Sequence, residues 1–451
     1  MNIGKQYGVP HYVAVLIVLG GLVAMILRIL HLINLSDAQV TLIILLMASI
    51  LLITELIPLA MGAMTVPIAI ALTGVLPVKS AFSGFSNENV ILFGAMFIVG
   101  GAMFRTGVAQ IIGNIVVKCA NGNRKRLVLY VMIATGLLSS VMSNTGTVAV
   151  LMPVCIGIAD SAGMNRKYLL LPLAMMASLG GMITLIGTPP NITVSTVIQE
   201  YGYEGFGFFE FAYTGLPLTI AGGAYMYFIY RKKLTMDNKN IQMEFDKKNQ
   251  VHLNQKQIQS ILVLAAVVAV MATGIINLTL GAMIGAMTCL LLGLVNQQEA
   301  VEDIDWTTIF LFAGMLPLAD ALEYTGAGQI IADQAIRIIG TNTSDIVILS
   351  VLYFIAVVLT QFMSNTAACA LLAPIGMEIA IALEADPKAA VLVIAVASAS
   401  AFATPMATPP NTLVMGPAGA KFTDFVKLGL PLILISYIVC IIIVPRVWPF
   451  F

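Results

Sequence analysis

Apolar segments long enough to cross a lipid bilayer follow one another along most of this 451-residue chain. They run from 11–33 near the start to 428–444 near the end. The hydrocarbon core of a bilayer is about 30 Å thick, so a spanning helix needs about 20 apolar residues. Hydrophobic residues make up 59% of the chain and charged residues only 10%, which leaves too little polar sequence to cover a soluble helical bundle. The sequence therefore predicts an all-α polytopic membrane protein.

Other classes of protein fit the sequence less well. A transmembrane barrel would show alternating segments of about 10 residues, whereas continuous apolar runs dominate here. The formal net charge is zero and the basic residues are dispersed, so no nucleic-acid partner is expected. The five cysteines and three histidines are scattered, which indicates neither a disulfide framework nor a metal cluster. We expect the first apolar segment to be a retained helix and not a cleaved signal peptide.

Two polar phrases interrupt the apolar sequence, and each of them occurs twice. Ser143-Asn144-Thr145 has a second copy, Ser364-Asn365-Thr366, later in the chain (364 − 143 = 221). Thr188-Pro189-Pro190-Asn191 has a second copy, Thr408-Pro409-Pro410-Asn411, at almost the same separation (408 − 188 = 220). Two matched pairs at nearly one offset indicate an internal duplication.

A third pair of segments supports the duplication and defines its extent. Phe93, in LFGAMFIVGGAMFRTGVAQII, aligns with Phe312, in LFAGMLPLADALEYTGAGQII, at a similar offset (312 − 93 = 219). The predicted organisation begins with an extra N-terminal transmembrane helix (1–37) and a first repeat of scaffold helices, hairpin and broken helix (38–230). A cytoplasmic linker (231–257) and an inverted second repeat (258–451) follow.

Loop charges predict how the chain crosses the membrane. Segments 118–126, 165–167 and 231–256 are strongly basic, and basic loops favour the cytoplasmic side. Because the first two flank the first Ser-Asn-Thr phrase, the sequence between them is predicted to be a re-entrant hairpin. An odd number of spans inverts the second repeat, whose hairpin then enters from outside. Segment 296–305 fits less well, since it is predicted to be cytoplasmic but carries four acidic residues and no base.

The resulting prediction is a multi-pass protein of the cell (cytoplasmic) membrane. It has about 11 transmembrane helices plus two re-entrant hairpins, in inverted-topology repeats, with a cytoplasmic N-terminus and an extracellular C-terminus. One of its helices is predicted to run continuously over 90–117, and 78–89 is predicted to be a polar loop.

The residue types at the breaks indicate sites for an anion and a cation. Non-helical backbone at membrane depth is tolerated only where protein or a watery cavity receives its polar groups. Inverted repeats with broken helices build substrate and ion sites in secondary transporters. The paired prolines bar a continuous helix, so the carbonyls of Gly187 and Ala407 become available to a cation. The half-helix that follows offers a positive dipole end to an anion, which makes Thr408 and Pro409 candidate substrate contacts.

Neutral side-chain oxygens at the hairpins suit a hard cation such as Na⁺. Ser139 precedes Ser143 by four residues and Thr360 precedes Ser364 by four, so each pair shares a helical face. The candidate Na⁺ ligands are Ser139, Ser143, Asn144, Gly187, Thr360, Asn365 and Ala407. A competing explanation is that Ser-Asn-Thr caps a helix and Thr-Pro-Pro kinks one. Both explanations can hold, because a cap at membrane depth is also an anion site.

Ionisable residues and glycine pairs inside the apolar segments carry weaker indications. Six carboxylates could form a proton relay or simple interfacial and interhelical pairs: Glu55, Asp160, Asp320, Glu323, Asp333 and Glu378. The glycine pairs Gly100-Gly101 and Gly180-Gly181 predict close helix packing.

At these motifs the sequence resembles the divalent anion/sodium symporter family, the INDY-type di- and tricarboxylate carriers. The twin Ser-Asn-Thr phrases are that family's hallmark. The stretch Phe402-x-x-Pro405-Met406-Ala407-x-x-x-Asn411-x-Leu413-Val414 looks like its C-terminal pattern, with Ala399 in place of one upstream serine. The resemblance covers essentially the whole chain.

The resemblance implies a homodimer in which a transport domain moves elevator-fashion against a scaffold domain. It also implies that Asn144, Thr145, Asn365 and Thr366 contact substrate carboxylates. One Na⁺ would then lie near Ser143, Asn144 and Gly187, and the other near Thr360, Asn365 and Ala407. Some members of the family exchange one dicarboxylate for another without sodium, and the sequence leaves both modes open.

The expected function is secondary active transport of small dicarboxylates of the succinate, malate, fumarate and 2-oxoglutarate class, by Na⁺ symport or by exchange. Two alternatives remain, an inorganic anion permease of the sulfate or arsenite type and an anion channel. An enzyme is not expected, because the chain has no paired histidines with a glutamate and no phosphate-binding glycine loop. The expected partners are a dicarboxylate anion, the lipid bilayer and Na⁺ as the candidate coupling ion, with no other cofactor.

Overall fold

A computed structural model describes residues 11–161, 163–236, 254–273, 275–339, 344–405 and 407–450. Within these ranges the regular structure is helical and contains no β-strand. The first half consists of α1 (His11–Ile29), α2 (Asp37–Thr54), α3 (Leu59–Thr73), α4 (Val78–Ala81), α5 (Glu88–Arg105), α6 (Val108–Ala120), α7 (Arg124–Ser139), α8 (Asn144–Ser161), α9 (Lys167–Gly181), α10 (Pro189–Glu200) and α11 (Ala212–Met236).

The second half presents the same order of long and short helices. It consists of α12 (Gln255–Thr273), α13 (Leu278–Leu291), α14 (Gln297–Glu302), α15 (Trp306–Thr325), α16 (Ala327–Ile339), α17 (Asp345–Thr360), α18 (Asn365–Ala382), α19 (Pro387–Ala399), α20 (Pro409–Ala418) and α21 (Phe422–Val447). The all-α prediction is therefore confirmed.

Two local predictions are wrong and a third falls largely outside the described ranges. The helix predicted over 90–117 is divided into α5 and α6, because Gly107 adopts a left-handed φ of 79° that a continuous helix cannot contain. The predicted loop 78–89 contains α4 and a 3₁₀ turn at Ser83–Ser86. Most of the predicted linker, 237–253, lies outside the described residues, and its two ends belong to α11 and α12.

Many of the helices are suited to a bilayer. Seven helices in the described part of the chain are long and apolar enough to cross a membrane: α1, α2, α5, α8, α12, α18 and α21. Shorter apolar helices include α3, α9, α13, α17 and α19. The fold is that of a multi-pass membrane protein, whereas the count of about 11 spans and the sidedness of the termini stay predictions.

The two halves pack against each other in a reciprocal way. Helix α3 packs on α15, and its counterpart α13 packs on α5, which is the counterpart of α15. Helix α10 packs on the second hairpin helix α18, while α20 packs on the first hairpin helix α8. This reciprocal packing agrees with the duplication in the sequence. It places α10 of the first half against α18 of the second, and α20 of the second half against α8 of the first.

The first helices of the two broken pairs, α9 and α19, are deeply buried. In α9 every residue from Leu169 to Gly181 is buried, and in α19 the same holds from Ala389 to Ala399. Close approach depends on glycine at Gly180, where a Cβ would overlap the backbone of Gly136 on α7. A Cβ on Gly181 would likewise overlap the Asn144 side chain. The close packing predicted for this glycine pair is confirmed, whereas nothing lies within 4 Å of a Cβ built on Gly100.

Candidate functional site

A cavity of about 550 Å³ lies where four helices begin. The helices are α8, α10, α18 and α20, and the breaks predicted from the sequence are their starts. Twelve residues from these starts line the cavity: Ser143, Asn144, Thr145, Gly146, Thr188, Pro189, Ser364, Asn365, Thr366, Ala407, Thr408 and Pro409. All six predicted substrate-binding residues are among them.

Local capping explains why the helices begin at these residues. The Ser143 hydroxyl accepts a hydrogen bond from the Gly146 amide at 3.1 Å, and the Ser364 hydroxyl accepts one from the Ala367 amide at 3.1 Å. Thr188 and Thr408 are extended, both at φ −143°, and proline follows each at the first helical position. The capping explanation therefore applies, and the caps face a cavity. All four starts carry a partial positive charge that attracts an anion, and those of α8 and α18 also offer unpaired amides, which the prolines at the starts of α10 and α20 lack.

Behind the first hairpin tip, a fully buried hydroxyl joins the hairpin to the broken helix. The Ser139 Oγ lies 2.7 Å from the carbonyl oxygen of Ala177 and 2.7 Å from the Asn144 Oδ1. A hydroxyl carries one proton, so it can donate to only one of these two acceptors. The cluster therefore contains more acceptor oxygens than the Ser139 proton can satisfy.

The Asn144 amide decides how this first oxygen cluster is balanced. With Oδ1 turned inward, the amide can accept only the single Ser139 proton, whereas turning it over lets Nδ2 donate to Ala177 O at 2.9 Å and to Gly187 O at 3.2 Å. The cluster thus has two balanced forms, one with the amide donating inward and one with a cation among the oxygens. Gly187 lies beside Asn144, as predicted, but behind the cavity wall.

The second hairpin repeats this arrangement. Thr360 is fully buried, and its Oγ1 lies 2.6 Å from the Ser398 carbonyl oxygen and 3.0 Å from the Asn365 Oδ1. Ser398 follows Thr360 by 38 residues, as Ala177 follows Ser139. Ala407, the remaining predicted ligand, lies on the cavity wall itself.

Side-chain amides hold each broken segment in shape. Asn191 donates from Nδ2 to the Thr184 carbonyl at 2.8 Å, and Asn411 donates to the Thr404 carbonyl at 2.9 Å and to the Ala401 carbonyl at 3.0 Å. Both asparagines are buried. Sequence reasoning placed them in the motif without finding this role, which the four-residue phrase alone does not reveal.

The opposite wall of the cavity was not predicted. It consists of residues on α3, α5 and α15 together with the end of α14 and the segment that leads into α15: Leu59, Phe97, Glu302, Asp303, Ile304, Asp305, Thr307, Thr308 and Leu311. None of the described lining residues is basic. An anion in this cavity would therefore be held by helix starts, hydroxyls, amides and any co-bound cation.

The intramembrane carboxylates lie away from the cavity lining. Asp160 forms an ion pair with Arg166 at 2.7 Å, which agrees with interfacial pairing. Glu378 accepts a hydrogen bond from the Tyr201 hydroxyl at 2.9 Å, which agrees with interhelical pairing. These contacts favour pairing over a proton relay for both residues.

Known proteins match this chain along most of its length. The family model CitMHS, described as citrate transporter, matches residues 49–397 and 329–450. An uncharacterized transporter of Haemophilus influenzae is 28% identical, over 87% of this chain and 88% of its own length. The uncharacterized transporter YfbS of Escherichia coli is 25% identical over 86% and 95%. The sodium-dependent dicarboxylate transporter SdcS of Staphylococcus aureus is 26% identical over 88% and 83%.

Two solved transporter structures share the fold. The YdaH transporter of Alcanivorax borkumensis has a TM-score of 0.56 at 17% identity, over 79% of this chain and 86% of that one. MtrF of Neisseria gonorrhoeae, from a class described as antimetabolite efflux pumps, has a TM-score of 0.60 at 16% identity, over 91% and 95%. At these identities the likeness concerns the fold alone.

Proposed function

Because the chain belongs to the citrate transporter family, we propose that it is a secondary active transporter of small dicarboxylates, working by Na⁺ symport or by dicarboxylate exchange. Succinate, malate, fumarate and 2-oxoglutarate represent the substrate class. One observation carries the proposal: four helix starts, backed by two matching oxygen clusters, converge on one cavity whose described lining has no basic residue.

The two hairpin tips suit a substrate with two carboxylates. Asn144 and Thr145 lie at the start of α8, and Asn365 and Thr366 at the start of α18. Each tip offers side-chain donors and the unpaired amides of a helix start to one carboxylate. Thr408 and Pro409 would contact the substrate between them. A cavity of about 550 Å³ is in the range of small-molecule sites and accommodates an acid of four to six carbons.

The oxygen clusters support Na⁺ as the coupling ion. In the Thr360 cluster one buried hydroxyl faces two acceptors, so the oxygens gain from a cation beside them. The Ser139 cluster has the same excess of acceptors when the Asn144 Oδ1 is turned inward. We propose one Na⁺ near Ser139, Ser143, Asn144 and Gly187, and a second near Thr360, Asn365 and Ala407. Two bound Na⁺ would offset the charge of a dianion in a site without fixed bases, and this makes substrate affinity depend on the ion. The name of SdcS supports the same ion and substrate.

The assembly and motion follow from the family resemblance. We propose a homodimer with an elevator-type movement of the hairpins and broken helices, a cytoplasmic N-terminus and an extracellular C-terminus. The basic loops support this orientation. The family's name points to citrate, so a tricarboxylate is the substrate to be compared first with the dicarboxylates.

Uptake into proteoliposomes tests the proposal. We expect saturable uptake of labelled succinate that requires either a Na⁺ gradient, for a symporter, or internal dicarboxylate, for an exchanger. Asn144→Ala and Asn365→Ala should each abolish uptake in protein that still elutes as a single species. Uptake of sulfate or arsenite in place of dicarboxylate would support the inorganic anion permease, and current without counterflow would support a channel.

A further inference from the structure

One part of the cavity lining carries acidic side chains, although the cavity is proposed to bind an anion. Glu302, Asp303 and Asp305 all line the cavity and are here named the acidic rim. The rim belongs to segment 296–305. The matching segment of the first half, at the offset of 219, is 77–86, and it contains no acidic residue and one base, Lys79. The rim therefore breaks the likeness between the halves and gives one side of the cavity a negative charge.

The members of the acidic rim are held in different ways. Asp305 caps α15: its Oδ1 accepts from the Thr307 and Thr308 amides at 3.1 and 3.3 Å, and its Oδ2 accepts from the Thr308 hydroxyl at 2.6 Å. The start of α15 thus offsets the charge of Asp305. Glu302 and Asp303 are instead paired with a side chain from the other half of the protein.

That side chain is Arg105, at the end of α5. Its guanidinium contacts Asp303 through Nε and Nη2 at 2.9–3.0 Å, Glu302 at 3.3 Å and Glu299 at 3.4 Å. Asp303 is seated against α5 at Gly101, where any Cβ would overlap its carboxylate. One base therefore balances three carboxylates, and a glycine one turn earlier provides the room for the tightest contact.

We propose that Arg105 sets the charge of the acidic rim and thereby the affinity with which the cavity binds a dicarboxylate. With Arg105 in place, the acidic rim (Glu302, Asp303 and Asp305) and the guanidinium together have a net charge of −2 (−3 + 1). Without it the net charge is −3. The inference rests on the proposed function, since the rim acts on the dianion while the hairpin tips bind it.

Simple electrostatics gives the size of the effect. In water, one unit charge about 10 Å from a dianion changes its local concentration by about fourfold at low ionic strength. Salt screens this interaction over about 10 Å at 0.1 M. If the ion pairs only held α5 against α14, substitutions would change the KM neither by this amount nor with this dependence on salt.

Two neutralising substitutions separate charge from bracing. Arg105→Gln makes the rim more negative and should raise the KM for succinate by about fourfold at low salt. Asp303→Asn makes it less negative and should lower the KM by a similar factor. Both break the same ion pair, so a purely structural tie predicts changes in one direction. The measurement is initial uptake at fixed Na⁺, with choline chloride added to screen charge.

Further variants complete the design. Arg105→Lys keeps the positive charge and should stay close to wild type, as should the double variant Arg105→Gln/Asp303→Asn. Arg166→Gln is the matched control, because it breaks an exposed ion pair with Asp160 away from the cavity. Opposite KM shifts that shrink in high salt support the inference. Shifts of one sign, or shifts that salt leaves unchanged, overturn it while wild-type uptake leaves the proposed function standing. Absence of wild-type dicarboxylate uptake contradicts both.

Discussion

The side chain of Asn411 donates to the carbonyl oxygen of Thr404, 2.9 Å away, across the break that separates α19 from α20. The same amide reaches the Ala401 carbonyl at 3.0 Å, and Asn411 has no exposed surface. Proline at 409 and 410 removes the amides that would normally pair with carbonyls of the preceding turn. Asn411 therefore supplies donors that the backbone of the break lacks.

Asn411→Ala should destabilise the protein by about 1–3 kcal/mol for each carbonyl left unpaired in this buried place. We expect a lower unfolding temperature in detergent, and weaker uptake because the start of α20 loses its position at the cavity. Asn165→Ala is the control, since the Asn165 side chain bonds the Lys167 amide at an exposed turn. Equal melting of the two variants would contradict this role.

The close approach of α7 and α9 gives a second prediction. A Cβ on Gly180 would lie 2.6 Å from the Gly136 Cα, and backbone cannot move aside as a side chain can. Gly180→Ala should force the hairpin away from the broken helix and sharply reduce the yield of folded protein. Gly100→Ala meets nothing within 4 Å and should behave as wild type. Normal yield and melting of Gly180→Ala would show that the helices can separate at little cost.

The two buried hydroxyls should govern the response to sodium. Ser139→Ala and Thr360→Val remove one oxygen from each cluster with little change of shape, so in Na⁺-driven uptake the half-saturating Na⁺ concentration should rise by about tenfold for either variant. Ser161→Ala serves as the control, because its hydroxyl bonds the Gly157 carbonyl of its own helix at an exposed position. If neither substitution changes the half-saturating Na⁺ concentration, the two clusters are not cation sites.

The ion pairs near the starts of α9 and α11 should contribute differently to the stability of the protein. The Glu210 carboxylate accepts hydrogen bonds from the Gly207 amide at 2.8 Å and the Trp448 indole at 2.9 Å, and it forms an ion pair with the Lys388 ammonium at 3.4 Å. Glu210→Ala should therefore lower stability by about 1–3 kcal/mol. The Lys167 ammonium lies 2.7 Å from the Asp424 carboxylate, but both side chains are a quarter or more exposed. Lys167→Gln should cost less than about 1 kcal/mol. Thermal melting of both variants would reveal whether this order is reversed.

The four helix starts at the Ser-Asn-Thr and Thr-Pro-Pro phrases could be predicted because their cause is local. Serine caps and paired prolines determine where a helix starts whatever surrounds it, and the duplication repeats the same signal in the second half of the chain. The division of α5 from α6 was missed although Arg105-Thr106-Gly107 carries the base and the glycine that are typical of a helix end, because the long apolar segments on either side dominate the pattern. The left-handed conformation of Gly107 has no counterpart in hydrophobic pattern.

The far wall of the cavity could not be predicted in the same way. Leu59, Phe97 and Leu311 are ordinary apolar residues of ordinary helices, and only the packing of α3 and α5 with the second half brings them to the cavity. In the sequence, the acidic segment 296–305 differed from its surroundings only in that its charge fitted the predicted cytoplasmic side poorly. Its position depends on Arg105, 198 residues away from Asp303, and no short-range pattern connects the two.

Gln361 makes the two halves mechanically unequal. Its side chain donates to the carbonyls of Val357 and Ser400 and accepts from the Ala403 amide, whereas the corresponding residue of the first half is the much shorter Ser140. The first break is instead supported by the Leu185 amide, which donates to the Phe208 carbonyl in a peripheral loop. Both hairpins are joined directly to their broken helices, through Thr184 and Ser140 in the first half and Thr404 and Gln361 in the second. The Gln361 side chain adds two further direct bonds, to Ser400 and Ala403, in the second half alone. Hydrogen exchange should therefore be slower at Ala403 than at Leu185, and mutations accumulating in the 201–211 loop would weaken the support of the first break while the Gln361 contacts of the second break stay intact.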